Sequence, residues 1–464
     1  MPNFRALAPI ALAAAAVVSI PSFLLAAPPS VPDLTQKIDA AAAKLLADPA
    51  AAGLSIAIAR NNEIIFAKAY GKADVEVAVA ATPDSIFRIG SVTKQFTAAA
   101  IMRLVEQGKI NLDAEIQVYL PDFPKKQWPV TIRQILTHTS GIWSYTDDDK
   151  FMERDASLEL TPTELIACFS EKPLDFEPGT QWNYSNSAYY LLGSVIEKVS
   201  AKPYAAFVQD EFFTPLKLTH TRYESNSDII PGRAQGYSFK DGKLANDKSI
   251  GADVPGAAGS LLSTATDLCN WEIALSSGKV VSPESYTQMT TPITAGEKPT
   301  NYGFGLQINE WEGRKRISHG GGIFGFNSML LTLPADEKNP DTITVAVLSN
   351  SERINSGRFA DTVTRYALGL EVFQPKDLDL SESDLARFSG EYAFEGIPLE
   401  IRLFARDGKL WAQATGQSES RLLYQGNNEF RPTFDTNVKF VFPAANADSF
   451  VLHQRGEITA KRKK

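Results

Sequence analysis

The chain has 464 residues, 44 % of them apolar and 22 % charged, and a formal net charge of −8. This length and composition are typical of a globular protein with two or three domains, and they exclude a small disulfide-stapled module, a disordered chain and a fibrous repeat. The acidic balance gives no basic surface for a nucleic acid. Two cysteines and four histidines, none at a paired spacing, form no zinc motif, so we expect neither a metal nor a cofactor.

The first residues have the layout of a secretory signal peptide, with Arg5 followed by the apolar run 6–27. An uncleaved membrane anchor is the alternative, since the run is close to the roughly 20 residues that span a bilayer. Prolines at positions 9 and 21 interrupt the run and favour cleavage. We therefore expect residues 1–27 to be a signal peptide and the mature protein to be periplasmic or secreted, with membrane contact only if the segment is retained.

Export would permit a disulfide between Cys168 and Cys269. Both cysteines lie in apolar helical stretches, which favours two buried free thiols. The sequence leaves the pairing open, because disulfide geometry cannot be derived from it.

Residues 31–370 combine strands at both ends with helices in the middle. The apolar runs Leu54–Ala59 and Ile64–Tyr70 flank a turn with two asparagines, which predicts a hairpin. A helical pattern begins at Ser91 and ends near Gly108. Further helical patterns lie at Ile132–Thr137, Thr161–Phe169, Ala188–Val199, Ala265–Ser276 and Gly357–Leu368, and strand patterns at Ser328–Leu333 and Thr342–Leu348. Sequence-distant strands enclosing helices predict an α/β (α+β) domain with one sheet and a helical lobe.

Residues 380–464 have a different character, because short strand candidates follow one another between turn signals such as Arg406–Lys409 and Gln425–Asn428. These candidates lie at 391–394, 399–404, 410–414, 422–424, 439–442 and 450–453. Short strands without intervening helices predict a small antiparallel β-barrel. The closing Lys-Arg-Lys-Lys run at 461–464 is interpreted as a solvated tail.

The first candidate for chemistry is Ser91-Val92-Thr93-Lys94, a Ser-x-x-Lys at the start of a predicted helix. Residues at i and i+3 share a helix face, with about 5 to 6 Å between their Cβ atoms, so Lys94 can reach the Ser91 hydroxyl. The helix N-terminus also stabilises negative charge at that point. The pattern alone is weak, because an ordinary N-cap looks the same. A second copy, from Ser276 to Lys279, lies at a predicted helix end and is interpreted as a cap and turn.

Two further segments strengthen the hypothesis: a Tyr-x-Asn at 184–186, and a His-Gly-Gly-Gly at 319–322 near a strand. In this order the three segments resemble the Ser-x-x-Lys, Tyr-x-Asn and Lys-Thr-Gly motifs of serine β-lactamases and penicillin-binding proteins. The chain is most similar to the class C β-lactamase-like branch, with its CubicO-type hydrolases, D-aminopeptidases and esterases. The resemblance covers about residues 31–369 and implies a β-lactamase/transpeptidase-like antiparallel sheet. The C-terminal part resembles the lipocalin-like domain that often accompanies this branch.

The resemblance implies a role for each motif residue. Ser91 attacks a carbonyl and becomes acylated once a base has taken its proton. Both Tyr184 and Lys94 are candidates for that base, and the sequence does not choose between them. Asn186 holds Lys94 and the substrate amide. The backbone N–H groups of Ser91 and Gly322 form the oxyanion hole.

His319 stands where β-lactamases of this family usually carry lysine. With Gly320 and Gly321 it is expected to contact the substrate, since glycines allow a close backbone approach. An imidazole with the usual pKa near 6.5 is largely neutral at pH 7, which weakens attraction of a substrate carboxylate. Titration of His319 would make the specificity constant for anionic substrates fall between about pH 6 and 8. His138 is expected to have a structural or supporting role.

These observations predict a metal-free serine hydrolase that acts through an acyl-enzyme on small amides, short peptides or esters. The first alternative is a β-lactamase with weak activity, and the second is a penicillin-binding sensor that is acylated without turnover. A Gly-x-Ser-x-Gly elbow is absent from the sequence, so an α/β-hydrolase is not indicated. The expected partner is a small-molecule or short-peptide substrate, and no nucleic acid. The oligomeric state stays open.

Overall fold

The computed structural model describes residues 30–373, 375–394, 399–433, 438–443, 447–454 and 457–463. The predicted signal peptide, 1–27, lies outside these ranges. The chain divides into two compact units, one ending at Glu371 and one beginning at Val372. In the part of the chain that the structure describes, no helix has both the length and the apolar character needed to cross a membrane.

The first unit is built on a seven-stranded antiparallel sheet. Its strands and the smaller strand pairs around it are β1 Gly53–Arg60, β2 Glu63–Asp74, β3 Val79–Ala80, β4 Phe87–Arg88, β5 Arg222–Tyr223, β6 Tyr237–Lys240, β7 Lys243–Asn246, β8 Leu261–Ser263, β9 Thr294–Ala295, β10 Lys298–Pro299, β11 Gln307–Trp311, β12 Arg314–Ile323, β13 Phe326–Leu333 and β14 Ile343–Ser349. The sheet order is β11-β12-β13-β14-β1-β2-β3, so the late strand β14 pairs with the early strand β1. The predicted sheet of sequence-distant strands is confirmed.

The predicted hairpin is also confirmed, since β1 and β2 pair across Asn61 and Asn62. Both asparagines have positive φ, 49° and 71°, as a tight hairpin turn requires. Alternate residues of β1 face opposite sides of the sheet, as the strand period predicts. Ile56 and Ile58 join an apolar cluster on one side, and Ala57 and Ala59 join a second cluster on the other. The sheet is therefore buried on both faces.

Helices supply the two covering layers. They are α1 Val31–Leu46, α2 Thr93–Glu106, α3 Ile132–Leu136, α4 Pro162–Ser170, α5 Asn186–Ser200, α6 Tyr204–Val208, α7 Thr214–Leu216, α8 Gly256–Gly259, α9 Ala265–Ser276, α10 Pro283–Met289 and α11 Ser356–Ala367 in the first unit, and α12 Glu382–Phe388 in the second. The predicted helices occur within two residues of their expected bounds. The sequence analysis did not predict α1, an amphipathic helix that Ser30 caps and that buries Leu34 and Ile38.

The second unit is a closed antiparallel barrel. Its strands are β15 Gly390–Phe394, β16 Glu400–Arg406, β17 Lys409–Ala414, β18 Ser420–Gly426, β19 Glu429–Pro432, β20 Lys439–Val441, β21 Ser449–His453 and β22 Glu457–Arg462. The predicted barrel is confirmed, although β19 and β22 were not expected. Buried aromatic side chains fill it, among them Phe388, Tyr392 and Phe450.

The interpretation of the closing basic run as a tail is wrong for Lys461 and Arg462, although Lys461 is exposed to solvent as expected. Both lie in β22, which pairs with β15 and closes the barrel. The Arg462 guanidinium donates to the carbonyl of Ser389 at 2.8 Å and to the Tyr392 hydroxyl at 2.8 Å. These contacts satisfy hydrogen-bond acceptors that the barrel otherwise buries.

Both cysteines are free. Cys269 is buried, as expected for an apolar helix. The expectation of burial is wrong for Cys168, which is exposed on α4. The apolar side of that helix passes through Leu165 and Phe169, so its neighbour Cys168 faces outward.

Candidate active site

Ser91 lies in a short 3₁₀ turn, Gly90–Val92, that leads directly into α2. Gly90 has a φ of 50°, a conformation that favours glycine. A Cβ at Gly90 would lie 3.1 Å from the backbone nitrogen of Gly322. The Ser91 turn and strand β12 therefore approach each other at the distance of backbone contact.

Lys94, in the first turn of α2, is fully buried. Its Nζ lies 3.2 Å from Ser91 Oγ, 2.7 Å from Asn186 Oδ1 and 2.8 Å from the Ala258 carbonyl oxygen. Burial lowers the pKa of Lys94 well below its usual value, because the charged form loses its hydration. Within the described ranges, the three contacts of this side chain are with uncharged groups.

Asn186 begins α5 and connects Lys94 to a neighbouring loop. Its side-chain amide donates to Thr146 Oγ1 at 3.0 Å, and its backbone N–H donates to Ser144 Oγ at 3.1 Å. These contacts orient the amide oxygen toward Lys94 and leave its conformation little freedom. The sequence analysis predicted the pairing of Asn186 with Lys94 but did not include Ser144, Thr146 or the Ala258 carbonyl.

Tyr184 lies beside the same lysine, with Lys94 Nζ 4.7 Å from the centre of the phenol ring. Burial raises the pKa of Tyr184, and a hydrogen bond with Ser91 opposes this rise without cancelling it. The phenol is therefore neutral at physiological pH. Ser91, Lys94 and Tyr184, which the sequence places in two distant segments, come together at one point.

His319 is buried on β12, with its Nε2 2.9 Å from the Tyr302 hydroxyl and its Nδ1 2.6 Å from the Gly320 carbonyl oxygen. Burial lowers the pKa of His319 to about 3, and nearby Lys94 adds to the effect. The imidazole is thus neutral throughout the range from about pH 6 to 8. The structure therefore gives no basis for the pH dependence on anionic substrates that the sequence analysis derived from titration of His319.

The three glycines after His319 have different surroundings. A Cβ at Gly321 would collide with the carbonyl oxygen of Ile89, so β12 packs on the segment before Ser91 only because this residue is glycine. A Cβ at Gly320 would lie 3.3 Å from Met329 Cε. Gly322 has no atom within 4 Å of such a Cβ and faces open space. Its N–H is the one that the sequence analysis assigned to the oxyanion hole.

A cavity of about 390 Å³ opens beside Ser91. Ser91, Asn186 and Gly322 line it, whereas His319, Gly320 and Gly321 lie outside its lining. The other lining residues are mainly apolar or aromatic: Tyr145, Met152, Ile250, Val254, Pro255, Ile323, Phe324 and Phe326. This volume and character suit a small organic substrate with a few polar groups.

The structure also reveals site residues that the sequence analysis missed. Tyr302 contacts His319 and His138, and it lies in the segment Tyr-Gly-Phe-Gly at 302–305. Glycines around an aromatic residue indicate a close backbone approach, and a Cβ at Gly305 would lie 2.5 Å from the Lys94 carbonyl oxygen. In the described part of the chain, no group of three histidine, cysteine or acidic side chains is arranged to hold a metal ion.

The antiparallel sheet, the helical lobe and the converging motifs are those of β-lactamase-type serine hydrolases. A family model described as Beta-lactamase matches residues 38–368, and the chain belongs to this family. The putative penicillin-binding protein PbpX of Bacillus subtilis (strain 168) is 32 % identical over 256 residues. The matched region is 54 % of this chain and 61 % of that relative, so the chain spans about three fifths of the relative's length.

Two solved structures agree with this assignment. The octameric penicillin-binding protein homologue from Pyrococcus abyssi is 26 % identical with a TM-score of 0.66, over 92 % of this chain and 100 % of that one. A D-stereospecific amidohydrolase from Streptomyces sp. is 28 % identical with a TM-score of 0.60, over 72 % of this chain and 98 % of that one. The fold and the membership of the β-lactamase family are thereby established.

Proposed function

We propose that this protein forms an acyl-enzyme on Ser91 and hydrolyses small amides, short peptides or esters. The observation that carries the proposal is the 3.2 Å contact between Lys94 Nζ and Ser91 Oγ at the wall of an apolar cavity. A serine hydroxyl is a weak nucleophile until a neighbouring base takes its proton. A buried lysine whose pKa lies well below its usual value supplies such a base.

Lys94 is better supported than Tyr184 as that base. A neutral amine has two N–H donors and one lone pair. The carbonyl oxygens of Asn186 and Ala258 can only accept, so they take the two donors and leave the lone pair for the Ser91 hydroxyl. Tyr184, whose pKa is raised, keeps its proton and contributes a neutral hydroxyl.

The proposed reaction follows from these contacts. Ser91 Oγ bonds to the substrate carbonyl carbon while its proton passes to Lys94 Nζ, and the carbonyl oxygen becomes an oxyanion. The backbone N–H groups of Ser91 and Gly322 are the donors proposed to stabilise it. The bond to the leaving amine or alcohol then breaks, and that group takes the proton from Lys94. Water attacks the acyl-enzyme with Lys94 again as base, which releases the acid and restores Ser91.

The volume and the lining of the cavity favour substrates of modest size that carry no negative charge. Among the described lining residues, Glu352 carries the acidic side chain; burial and Asp247 raise its pKa, and its ionised form repels an anionic substrate. The D-stereospecific amidohydrolase among the structural neighbours supports an amide as substrate. A β-lactam antibiotic, which carries a carboxylate, is a poorer match. The β-lactamase alternative therefore stays second.

A substrate panel tests the proposal: D-amino-acid amides, short-chain nitrophenyl esters and nitrocefin, each with the purified mature chain. We expect turnover of an amide or an ester, with acylated Ser91 detected by intact mass and peptide mapping. Ser91→Ala should lose at least about 10³-fold in activity. Ser276→Ala is the matched control, because Ser276 belongs to the second Ser-x-x-Lys and its hydroxyl donates to backbone carbonyls of its own helix, Glu272 at 2.8 Å and Ile273 at 3.4 Å.

The alternatives give different results in the same panel. Nitrocefin as the fastest substrate would favour a β-lactamase. A permanent gel band with fluorescent penicillin and no turnover of any substrate would favour the sensor. Hydrolysis that persists in Ser91→Ala would refute the assignment of Ser91 as the nucleophile.

We also propose that the chain is exported to the periplasm or secreted, on the composition of residues 1–27. Cell fractionation and N-terminal sequencing of the mature protein test this. A mature chain beginning close to residue 28 in the extracytoplasmic fraction supports export, and an intact Met1 in the cytoplasm contradicts it.

A further inference from the structure

The described structure contains a line of three buried rings that connects the two halves of the candidate site. His138 follows α3, Tyr302 precedes β11, and His319 lies on β12. The three side chains are at most 3 % exposed. The Tyr302 hydroxyl lies between the two imidazoles, 3.3 Å from Nε2 of His138 and 2.9 Å from Nε2 of His319.

The two ends of this line fix where each proton lies. At one end the backbone N–H of Ser185 donates to Nδ1 of His138 at 3.1 Å, so this nitrogen has no proton and Nε2 carries it. At the other end Nδ1 of His319 lies 2.6 Å from the Gly320 carbonyl oxygen, which can only accept. Nδ1 of His319 therefore carries the proton, and Nε2 accepts.

With neutral rings, the Tyr302 hydroxyl can accept from His138 and donate to His319, and the Tyr189 hydroxyl is a further hydrogen-bond partner. Every donor meets an acceptor, and no charge is introduced beside buried Lys94. Protonation of His319 would put two N–H donors against one hydroxyl oxygen and remove His319 as an acceptor of the hydroxyl proton. The arrangement thus opposes an imidazolium at either end.

We propose that Tyr302 is a positioning residue that keeps both imidazoles neutral and holds the Tyr184 segment at a fixed distance from strand β12. His138 supports Tyr184 directly, since the centres of their rings are 4.3 Å apart. His319 and its bond to the Gly320 carbonyl fix the strand that carries Gly322. The inference rests on the proposed function, because it assigns Tyr302 to the alignment of that same site.

The side chains that face His319 are consistent with this role. The Tyr184 ring lies 6.3 Å away between ring centres, and Lys94 is the nearby amine. Tyr189, from α5, packs on His138 with 4.9 Å between ring centres. His319 thus lies outside the cavity lining and faces the other two rings of the line. In this proposal it fixes the position of strand β12 and does not bind a substrate carboxylate.

Tyr302→Phe tests the proposal by removing only the hydroxyl. We expect kcat on the best substrate of the panel to fall about 10- to 100-fold with KM changed less than about threefold, because misplacement of the reacting groups affects the transition state. Tyr237→Phe is the matched control. Tyr237 is buried in the same unit, its hydroxyl accepts from the Val75 N–H at 2.7 Å, and it is not one of the three rings of the line. Equal effects of the two variants would overturn the proposal.

A second measurement does not depend on activity. Long-range proton–nitrogen NMR of the imidazoles in the full chain, with His220 and His453 substituted for assignment, should show His138 protonated at Nε2 and His319 at Nδ1. Neither should titrate from about pH 5 to 9. In Tyr302→Phe the His319 signal should shift or begin to titrate.

An imidazolium or the opposite tautomer at His319 in the wild-type protein would overturn the inference even if the variant does not fold. Failure of the proposed function would appear separately, as activity retained in Ser91→Ala with the predicted tautomers intact.

Discussion

The chain contains the same pattern twice, and only one copy has the geometry of an active site. Ser91 and Lys94 lie where a helix begins, and Lys94 is fully buried among uncharged acceptors. Ser276 and Lys279 lie where α9 ends, on exposed chain next to Gly278, whose φ is 79°. The spacing of serine and lysine is equal in both. Burial of the lysine next to the hydroxyl is what makes the first pair suited to catalysis.

Within this comparison, the largest expected effect comes from removing Lys94. Lys94→Ala should lower kcat/KM by about 10² to 10⁴-fold, because it removes the base, whereas Lys279→Ala should leave it unchanged. In the wild-type enzyme, activity should fall as the pH falls through the lowered pKa of Lys94, since only the neutral amine accepts a proton. Steady-state rates from about pH 5 to 10 test both statements. Equal losses from the two lysine variants would remove the distinction between the copies.

The buried Lys94 should also make the stability of the protein depend on pH. Its folded pKa is lower than its unfolded pKa, so between these two values the unfolded chain binds more protons and the free energy of unfolding rises with pH. Lys94→Met should remove this contribution to the rise of the free energy of unfolding with pH, and Lys279→Met should keep it. Urea unfolding at several pH values measures the slope. An unchanged slope in Lys94→Met would mean that Lys94 is not held neutral.

Tyr184→Phe sharpens the assignment of the base and should have a smaller effect. We expect kcat to fall less than about 10²-fold, and less than in Lys94→Ala, because Tyr184 contributes a neutral hydroxyl. Rates measured on one ester substrate for both variants decide the order. A loss in Tyr184→Phe larger than that in Lys94→Ala would assign the base to the phenol.

Much of this site could be predicted from sequence because its residues lie in short motifs. Ser91 with Lys94 and Tyr184 with Asn186 each share a local segment, and the structure brings the two segments together. Tyr302 could not be found in this way. Its hydroxyl depends on two histidines, 164 and 17 residues away along the chain.

In the fold, too, local features could be predicted from the sequence and tertiary contacts could not. Hairpins, helices and most barrel strands follow local periodicity, which the sequence displays. Arg462 was misread because a basic run is usually solvated, whereas here it pairs with β15 and donates to buried acceptors. The pKa of His319 was misjudged for a related reason: burial, which sets it to about 3, depends on tertiary packing.

β12 packs against the segment that leads into the Ser91 turn, and two adjacent glycines test this packing. Gly321→Ala should lower the free energy of unfolding by about 1 to 3 kcal/mol, because its Cβ meets the Ile89 carbonyl. Gly322→Ala should change stability little, because its Cβ enters open space. Denaturant unfolding compares them, and equal stability losses would contradict the described contact.

The smallest expected effect concerns Glu352, the acidic residue that lines the cavity beside Ser91. At a pH above the raised pKa of Glu352, Glu352→Gln should raise kcat/KM for an anionic substrate such as nitrocefin by about two- to fivefold and leave neutral esters unchanged, because it removes a repulsive carboxylate. The effect should shrink with added salt. An equal gain on neutral and anionic substrates would exclude an electrostatic origin.

The protonation state of Lys94 tests the central claim most directly. NMR of the full chain with labelled lysine side chains, assigned with Lys94→Arg and Lys279→Arg, follows each amine through a pH titration. We predict that the Lys94 signal titrates well below the ordinary lysine range and that it alone shifts in Ser91→Ala. A Lys94 signal that titrates in the ordinary lysine range and does not respond to Ser91 would contradict the account.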